Sequence, residues 1–148
     1  MSSEAAATDA LARILVDQLD VHGDLTAAHA AAVEAIGPRL HDLCRLRIAT
    51  LLGTPDEDSS DVLDPAAIAA LPQWPSHPRF SPAERVCLSL TEHFVIDVAS
   101  ISDDMADSVV RELGADGFST LVNALVVIEQ RQRLRLPWGR LFDQQPQQ

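Results

Sequence analysis

Two cysteines, Cys44 and Cys87, could supply a nucleophilic thiolate. Cys44 shares a predicted helical face with Leu40 and Ile48, which stand four residues before and after it. Cys87 stands three residues before Leu90 in a second apolar stretch. Free cysteines commonly behave as small buried hydrophobic residues, so we predict that both pack in the core. The alternative is that the two thiols form a remote redox pair.

A carboxylate and a cation, Asp42 and Arg45, stand three residues apart, which places both on the polar face of one helix. They are either a helix ion pair or a functional carboxylate with its partner. His93 follows Glu92, and we predict a half-buried, hydrogen-bonded imidazole at this position rather than a base.

The remaining polar side chains do not form a recognisable metal or cation site. No two of the five histidines have HxxxH or HExxH spacing, so no metal ligand is predicted. The histidines are His22, His29, His41, His77 and His93. The acidic stretch 56–64 lacks the alternating ligands of a calcium loop, and we predict a solvated loop there. We predict ion-pair partners at three arginines near the end of the chain: Arg131, Arg133 and Arg135.

Composition restricts the class of protein. A chain of 148 residues fits one globular domain, and a net charge of −11 does not favour binding to nucleic acid or to an anionic membrane. Two cysteines are too few for a disulfide framework, and neither a secretory signal nor a membrane-spanning apolar run is recognisable. These features predict a cytoplasmic protein. All 11 basic residues are arginine, which indicates codon bias in a GC-rich bacterial genome.

The apolar pattern predicts an all-α fold of about six helices, because no segment alternates strictly and β-branched residues do not cluster between turns. Helices are predicted over 4–20 and 24–36, separated at Gly23, with Asp24 as a cap. A third is predicted over 38–53, with a proline in its first turn.

The second half of the chain has clear helix boundaries. Residues 53–81 contain five prolines and predict a loop with a short helical turn at 65–70. Ser81 begins a capping box with Glu84, Ser102 caps the following helix, and Gly114 ends it. The last helix, about 117–135, is apolar on nearly every side and is therefore expected to be buried centrally or in a subunit contact. Pro137 is expected to end it.

The predicted organisation has three parts: a helical segment at 1–36, a helical domain at 37–140 and a polar tail at 141–148.

Two stretches resemble the carboxymuconolactone decarboxylase and alkylhydroperoxidase D-like (AhpD-like) family. The first is LHDLCRLRIATLLG, which is similar to the family pattern rELvRLRvAqlNgCxYCxxxH over its helical part. The second comprises FSPAERVCLSLTEHF, ISDDMADSVVREL and LVNALVVIEQRQRLRLPWG, similar to the downstream helices of the family. The resemblance spans roughly residues 36–139 and implies an AhpD-like helical bundle that assembles through helix–helix contacts.

The resemblance also implies where a thiol peroxidase relay would lie. The family glutamate falls on Asp42, its two cysteines on Thr54 and Glu57, and its histidine on Asp61. A threonine hydroxyl is not ionised near neutral pH, and Thr54 and Glu57 cannot form a disulfide. The crowded acids would raise the pKa of a thiol rather than lower it. Thiol-based peroxide reduction by this loop is therefore not expected.

These observations leave several functional hypotheses. The leading one is a non-catalytic scaffold or small-ligand-binding subunit that has lost the relay. A second is an enzyme in which Asp42, with a raised pKa, acts as general base between helices 38–53 and 82–98, while Thr54 or Glu57 orients a small substrate. Residual peroxidase or peroxiredoxin-type activity is a further alternative, as is an unrelated structural domain. A lactone decarboxylase is disfavoured, because TPDEDSSD offers no cationic group for a dicarboxylate substrate.

The expected partners follow from the same resemblance. Family members form dimers, trimers or hexamers, so a homo-oligomer is expected, or else a heteromer with an active paralogue. No cofactor, nucleic acid or membrane partner is expected.

Overall fold

The computed structural model describes residues 12–13, 15–54 and 60–142, with side chains as far as residue 136. Over these residues the protein has five α-helices and no β-strand, which confirms the all-α prediction. The helices are α1 (Leu19–Ile36), α2 (Pro38–Leu52), α3 (Pro65–Ala70), α4 (Pro82–Ile96) and α5 (Asp103–Phe142). Short 3-10 turns follow α3 at Leu71–Gln73 and α4 at Val98–Ser100. None of the described helices has the length and apolar character needed to cross a membrane.

The first helix differs from its prediction. α1 runs without interruption through Gly23, so the predicted break and the predicted cap at Asp24 are wrong. Its cap position is Gln18, whose carbonyl accepts the first helical hydrogen bond, from His22 N. A glycine inside a helix costs only about 1 kcal/mol relative to alanine, and the surrounding good helix formers outweigh that cost. Most of the predicted helix 4–20 lies outside the described residues.

The last two predicted helices form one element with a kink at Gly114. The described part of the chain therefore has five helices, with the short helix at Pro65–Ala70 counted and most of the predicted helix 4–20 outside the described residues. Gly114 has φ 77° and ψ 169°, so the helix is broken there as predicted, but helical conformation resumes at once. A side chain on Gly117 would place its Cβ 2.6 Å from Leu113 Cβ, so glycine is needed beside the break. The expected end at Pro137 is wrong, because α5 continues to Phe142. A proline forfeits one helical hydrogen bond, but its fixed φ is compatible with a helix.

The predicted starts of α2 and α4 are confirmed. Pro38 is the first residue of α2. Ser81 Oγ accepts a hydrogen bond from Glu84 N at 3.1 Å, and Glu84 Oε2 accepts one from Ser81 N at 2.9 Å, which completes the capping box. Ser102 Oγ likewise accepts from Met105 N at 3.2 Å at the start of α5. Each of these helix starts is determined by residues within one turn of it, so each can be predicted from the local sequence.

α2 lies at the centre of the packing, between two apolar clusters. Its core face packs against α4 and α5, in a cluster of Cys44, Ile48, Cys87, Leu90, Val109, Leu121, Leu125 and Ile128. Its other apolar face is covered by residues 60–80, which we call the strap. The strap buries Leu63, Ala67, Ala70, Leu71, Trp74 and Phe80 against Leu43, Leu46 and Leu88. The proline-rich segment is therefore an integral layer of the fold.

The most apolar part of α5 is buried on one face. Leu121, Leu125 and Ile128 are buried in the core, whereas Val126 is 43% exposed. Val122 is half-buried. The expected burial on most sides is thus incomplete within the single chain.

Candidate functional site

Asp42 lies on the flank of α2 where the strap begins. Its carboxylate is only 14% exposed and accepts a hydrogen bond from Arg45 Nε at 2.9 Å. Its other oxygen accepts a hydrogen bond from the Ser60 hydroxyl. His41 Nδ1 lies 3.8 Å from Asp42 Oδ1. Of the two alternatives left by the sequence, the ion pair with Arg45 is therefore present, within a larger polar cluster.

The surroundings of Asp42 favour its ionised form. Burial raises the pKa of this carboxyl, but the contacts with His41, Arg45 and Ser60 together outweigh burial and hold the pKa well below its usual range. The expectation of a raised pKa is wrong for this reason. A carboxylate with so low a pKa is a weak proton acceptor at neutral pH, which is unfavourable for a general base.

Ser60 connects Asp42 to the backbone of the strap. While its hydroxyl donates to Asp42, its oxygen accepts hydrogen bonds from Val62 N at 3.0 Å and Leu63 N at 2.8 Å. Leu63 is the first buried residue of the strap. Asp42 therefore orients the turn that brings the strap onto α2, which is a structural task.

The structure does not bring Thr54 to Asp42. Gly53, in the left-handed conformation with φ 67°, closes α2 by donating to Ala49 O and Thr50 O. Thr54 N and Thr54 Oγ1 both donate to Ala49 O, at 3.0 and 3.1 Å, so this residue is held at the C-terminal end of the helix. Ten helical residues rise about 15 Å, which separates this end from Asp42.

The other two positions implied by the family resemblance give no relay partner. Glu57 lies outside the described residues. Asp61 is exposed and adjacent to Ser60, so it is close to the Asp42 cluster in the chain. Among the implied positions that the structure describes, Asp61 is therefore next to Ser60, which contacts Asp42. Thr54 lies at the far end of α2 from Asp42.

Both cysteines are fully buried in the core, as predicted, and neither forms a disulfide. Burial raises the pKa of Cys44 to about 11 and only a contact with Thr91 Oγ1, 3.4 Å from its sulfur, acts in the other direction. Burial also raises the pKa of Cys87 to about 12, helped by the nearby Cys44 and by the acids Glu84 and Glu112. Neither thiol is ionised at neutral pH, so neither is an effective nucleophile.

A second polar cluster, which the sequence did not indicate, fixes the middle of the strap. Glu92 Oε1 on α4 accepts hydrogen bonds from Trp74 Nε1 at 2.7 Å and from Arg47 Nε at 2.6 Å. The three residues join the strap, α4 and α2. Because they are 18 to 45 positions apart along the chain, no local spacing could have revealed the contact.

The prediction for His93 is confirmed, and the prediction of arginine ion pairs near the end of the chain is confirmed for Arg133. His93 is half-buried, and its Nδ1 lies 2.8 Å from Ser89 O. Arg133 pairs with Glu129 at 2.8 Å across one turn of α5. Both side chains thus have structural partners.

His41 is a buried polar residue that sequence spacing did not single out. It is 3% exposed, and its Nε2 has no hydrogen-bond partner. Its ring lies against that of His29 on α1, with centroids 5.0 Å apart and planes at 73°. The two histidines stand twelve positions apart on different helices, so no short motif connects them. Within the described ranges, no group of three or more His, Cys, Asp or Glu side chains is placed to hold a metal ion.

The described residues therefore combine an ionised, anchored carboxylate with two neutral buried thiols and a threonine hydroxyl bound at a helix end. This combination can maintain a rigid interior but does not present an activated nucleophile beside a base. Comparison of the chain with protein-family models, with curated proteins and with solved structures gives no match.

Proposed function

We propose that this chain is a divergent carboxymuconolactone decarboxylase/AhpD-like protein that has lost the thiol relay and acts as a non-catalytic scaffold or small-ligand-binding subunit. The observation that carries the proposal is the burial of both thiols, with pKa values of about 11 and 12. A peroxidase relay requires a thiolate that peroxide can reach, and these side chains provide neither ionisation nor access.

The position of Asp42 supports the same proposal. This residue occupies the place of the family glutamate, yet its carboxylate is engaged by Arg45 and Ser60 in holding the strap. The side chain that would shuttle protons in a relative is used here for packing. Under this proposal the helices of the chain form an AhpD-like bundle, with α2 in the place of the helix that precedes the family cysteines.

The proposal includes assembly into a homo-oligomer, or into a heteromer with an active paralogue, in the cytoplasm. Val110 and Val126 leave apolar surface on α5, and Ile96 and Val98 leave more at the end of α4. Such surface is commonly covered by a partner subunit. Two free thiols are consistent with a reducing compartment.

A peroxide assay tests the loss of the relay. The purified full-length protein is incubated with hydrogen or organic peroxide and a dithiol donor, beside the variants Cys44→Ala and Cys87→Ala. We expect the wild type to consume peroxide no faster than the donor alone. Turnover that collapses in either cysteine variant would contradict the proposal, because it would show a working thiol.

Size-exclusion chromatography with light scattering tests assembly. A mass of two, three or six chains is expected for the homo-oligomer. A single species at the chain mass of 16.0 kDa would contradict self-assembly and leave only the heteromeric form, which a pull-down with the paralogue tests.

A further inference from the structure

The rings of His29 and His41 meet edge to face where α1 packs against α2. Their ring centroids are 5.0 Å apart and their planes are at 73°. With metal–nitrogen bonds of about 2.0–2.1 Å and tetrahedral angles, two imidazole centroids come to lie about 5 Å apart. The α1–α2 contact therefore already holds the rings at a separation that a metal ion could bridge.

The neighbours of His41 select one ring nitrogen for binding. Nδ1 faces the ionised carboxylate of Asp42 at 3.8 Å, which favours the tautomer that carries its proton on Nδ1. Nε2 then holds a lone pair, and it is buried without a hydrogen-bond partner. A buried polar atom without a partner is costly, and metal-ligating histidines usually direct their second nitrogen at a carboxylate. Asp42 provides that support.

We propose that His29 and His41 form a binding site for a divalent transition-metal ion, with Asp42 orienting His41. The expected ions are those that favour imidazole nitrogen: Zn²⁺, Ni²⁺ and Cu²⁺. Two histidines leave coordination positions for water, which can approach from the half-buried His29. The net charge of −11 further favours a cation. The site goes beyond the proposed function, because it uses neither cysteine, and its failure would leave the loss of the thiol relay standing.

Calorimetric titration of the metal-free, full-length protein with ZnCl₂ near pH 7.5 tests the site. We expect one equivalent to bind, with an affinity that falls at least about tenfold in His29→Gln and in His41→Gln. Asp42→Asn should weaken binding about tenfold by removing the support of Nδ1. Binding should also weaken at pH 5.5, because protons compete for the imidazole lone pairs.

Two matched variants separate this site from unspecific binding by histidine. His77→Gln and His93→Gln each remove one imidazole elsewhere in the chain and should leave the affinity unchanged. Because His41 is buried, far-UV circular dichroism must show that its variant is folded; His29→Gln, at the half-buried position, keeps the test valid if it is not. The absence of saturable binding, or an equal loss in His77→Gln and His29→Gln, would overturn the proposal.

Discussion

The two apolar faces of α2 are stabilised in different ways. The core face, with Cys44 and Ile48, meets α4 and α5 in an apolar cluster, and the Thr91 hydroxyl contacts the Cys44 sulfur there. The face under the strap also buries apolar side chains, but polar anchors at Asp42 and Glu92 fix the strap to its neighbours. The strap contains a short helix and several prolines, so its backbone hydrogen bonds alone cannot fix its orientation against α2. The polar anchors fix that orientation, whereas on the core face the packing of long helices does so.

This difference bears on function. Under the proposed family membership, relatives would carry a proton-shuttling acid at the position of Asp42, and a thiol relay would follow the helix. Here the acid anchors the strap, and the thiols are neutral packing groups in the cluster at the core face, Cys44 on α2 and Cys87 on α4. Four experiments can break or sharpen the contrast between the two faces.

The largest effect is expected from Phe80→Ala, which removes a fully buried ring at the end of the strap. If the strap is an integral layer, this variant should lose about 3–5 kcal/mol of unfolding free energy in urea. Val62→Ala, at an exposed strap position, should change stability by less than about 0.5 kcal/mol. Equal, small effects of the two variants would show that the strap is a loosely attached loop.

The thiols test the core face. Because the pKa of Cys44 is raised from 9.0 to about 11, its thiolate population near pH 8 should fall about 100-fold, and burial slows attack further. We expect negligible reaction of the native protein with an aromatic disulfide reagent and two equivalents after unfolding in guanidinium. Prompt reaction of one native thiol would place a cysteine at the surface and contradict its packing role.

The two faces also differ in what the sequence could predict. The starts of α2 and α4 follow from Pro38 and from the Ser81–Glu84 box, because those signals act within one turn. The burial of Cys44 was predictable from its four-residue spacing with Leu40 and Ile48.

The polar anchors of the strap could not be predicted in the same way. Ser60 reaches Asp42 over 18 positions and Arg47 reaches Glu92 over 45, so each contact exists only after the chain has folded. For the same reason the lowered pKa of Asp42 could not be predicted: the sequence shows His41 and Arg45 beside this carboxylate, but the Ser60 hydroxyl joins them only in the fold.

Asp42→Asn tests the first polar anchor. The variant keeps the shape of the side chain but loses its charge, so we expect a loss of about 1–2 kcal/mol at pH 7. Because the folded-state pKa lies below the unfolded value, the unfolded state binds more protons between the two values. The contribution of Asp42 is therefore present above about pH 4 and is lost as the pH falls further.

Urea unfolding as a function of pH measures both effects. The wild type should lose stability below about pH 4 more steeply than Asp42→Asn, and the two curves should converge in acid. Asp61→Asn is the control, because Asp61 is an exposed acid in the same strap. Parallel curves for wild type and Asp42→Asn would contradict the ionised anchor.

Glu92→Gln should have the smallest effect, because glutamine keeps an oxygen that can accept from Trp74 Nε1 and loses only the charge that pairs with Arg47. We expect a loss of about 0.5–1 kcal/mol, above the few tenths expected for Glu129→Gln, which breaks a pair one helical turn apart whose arginine is half-exposed. In a Trp138→Phe background, Trp74 is the single tryptophan and its fluorescence reports on the strap. A blue or red shift with little loss of stability would locate the change at this anchor. If Glu92→Gln leaves both the spectrum and the stability unchanged, apolar packing alone holds the strap at Trp74, and the two faces of α2 differ less than their contacts indicate.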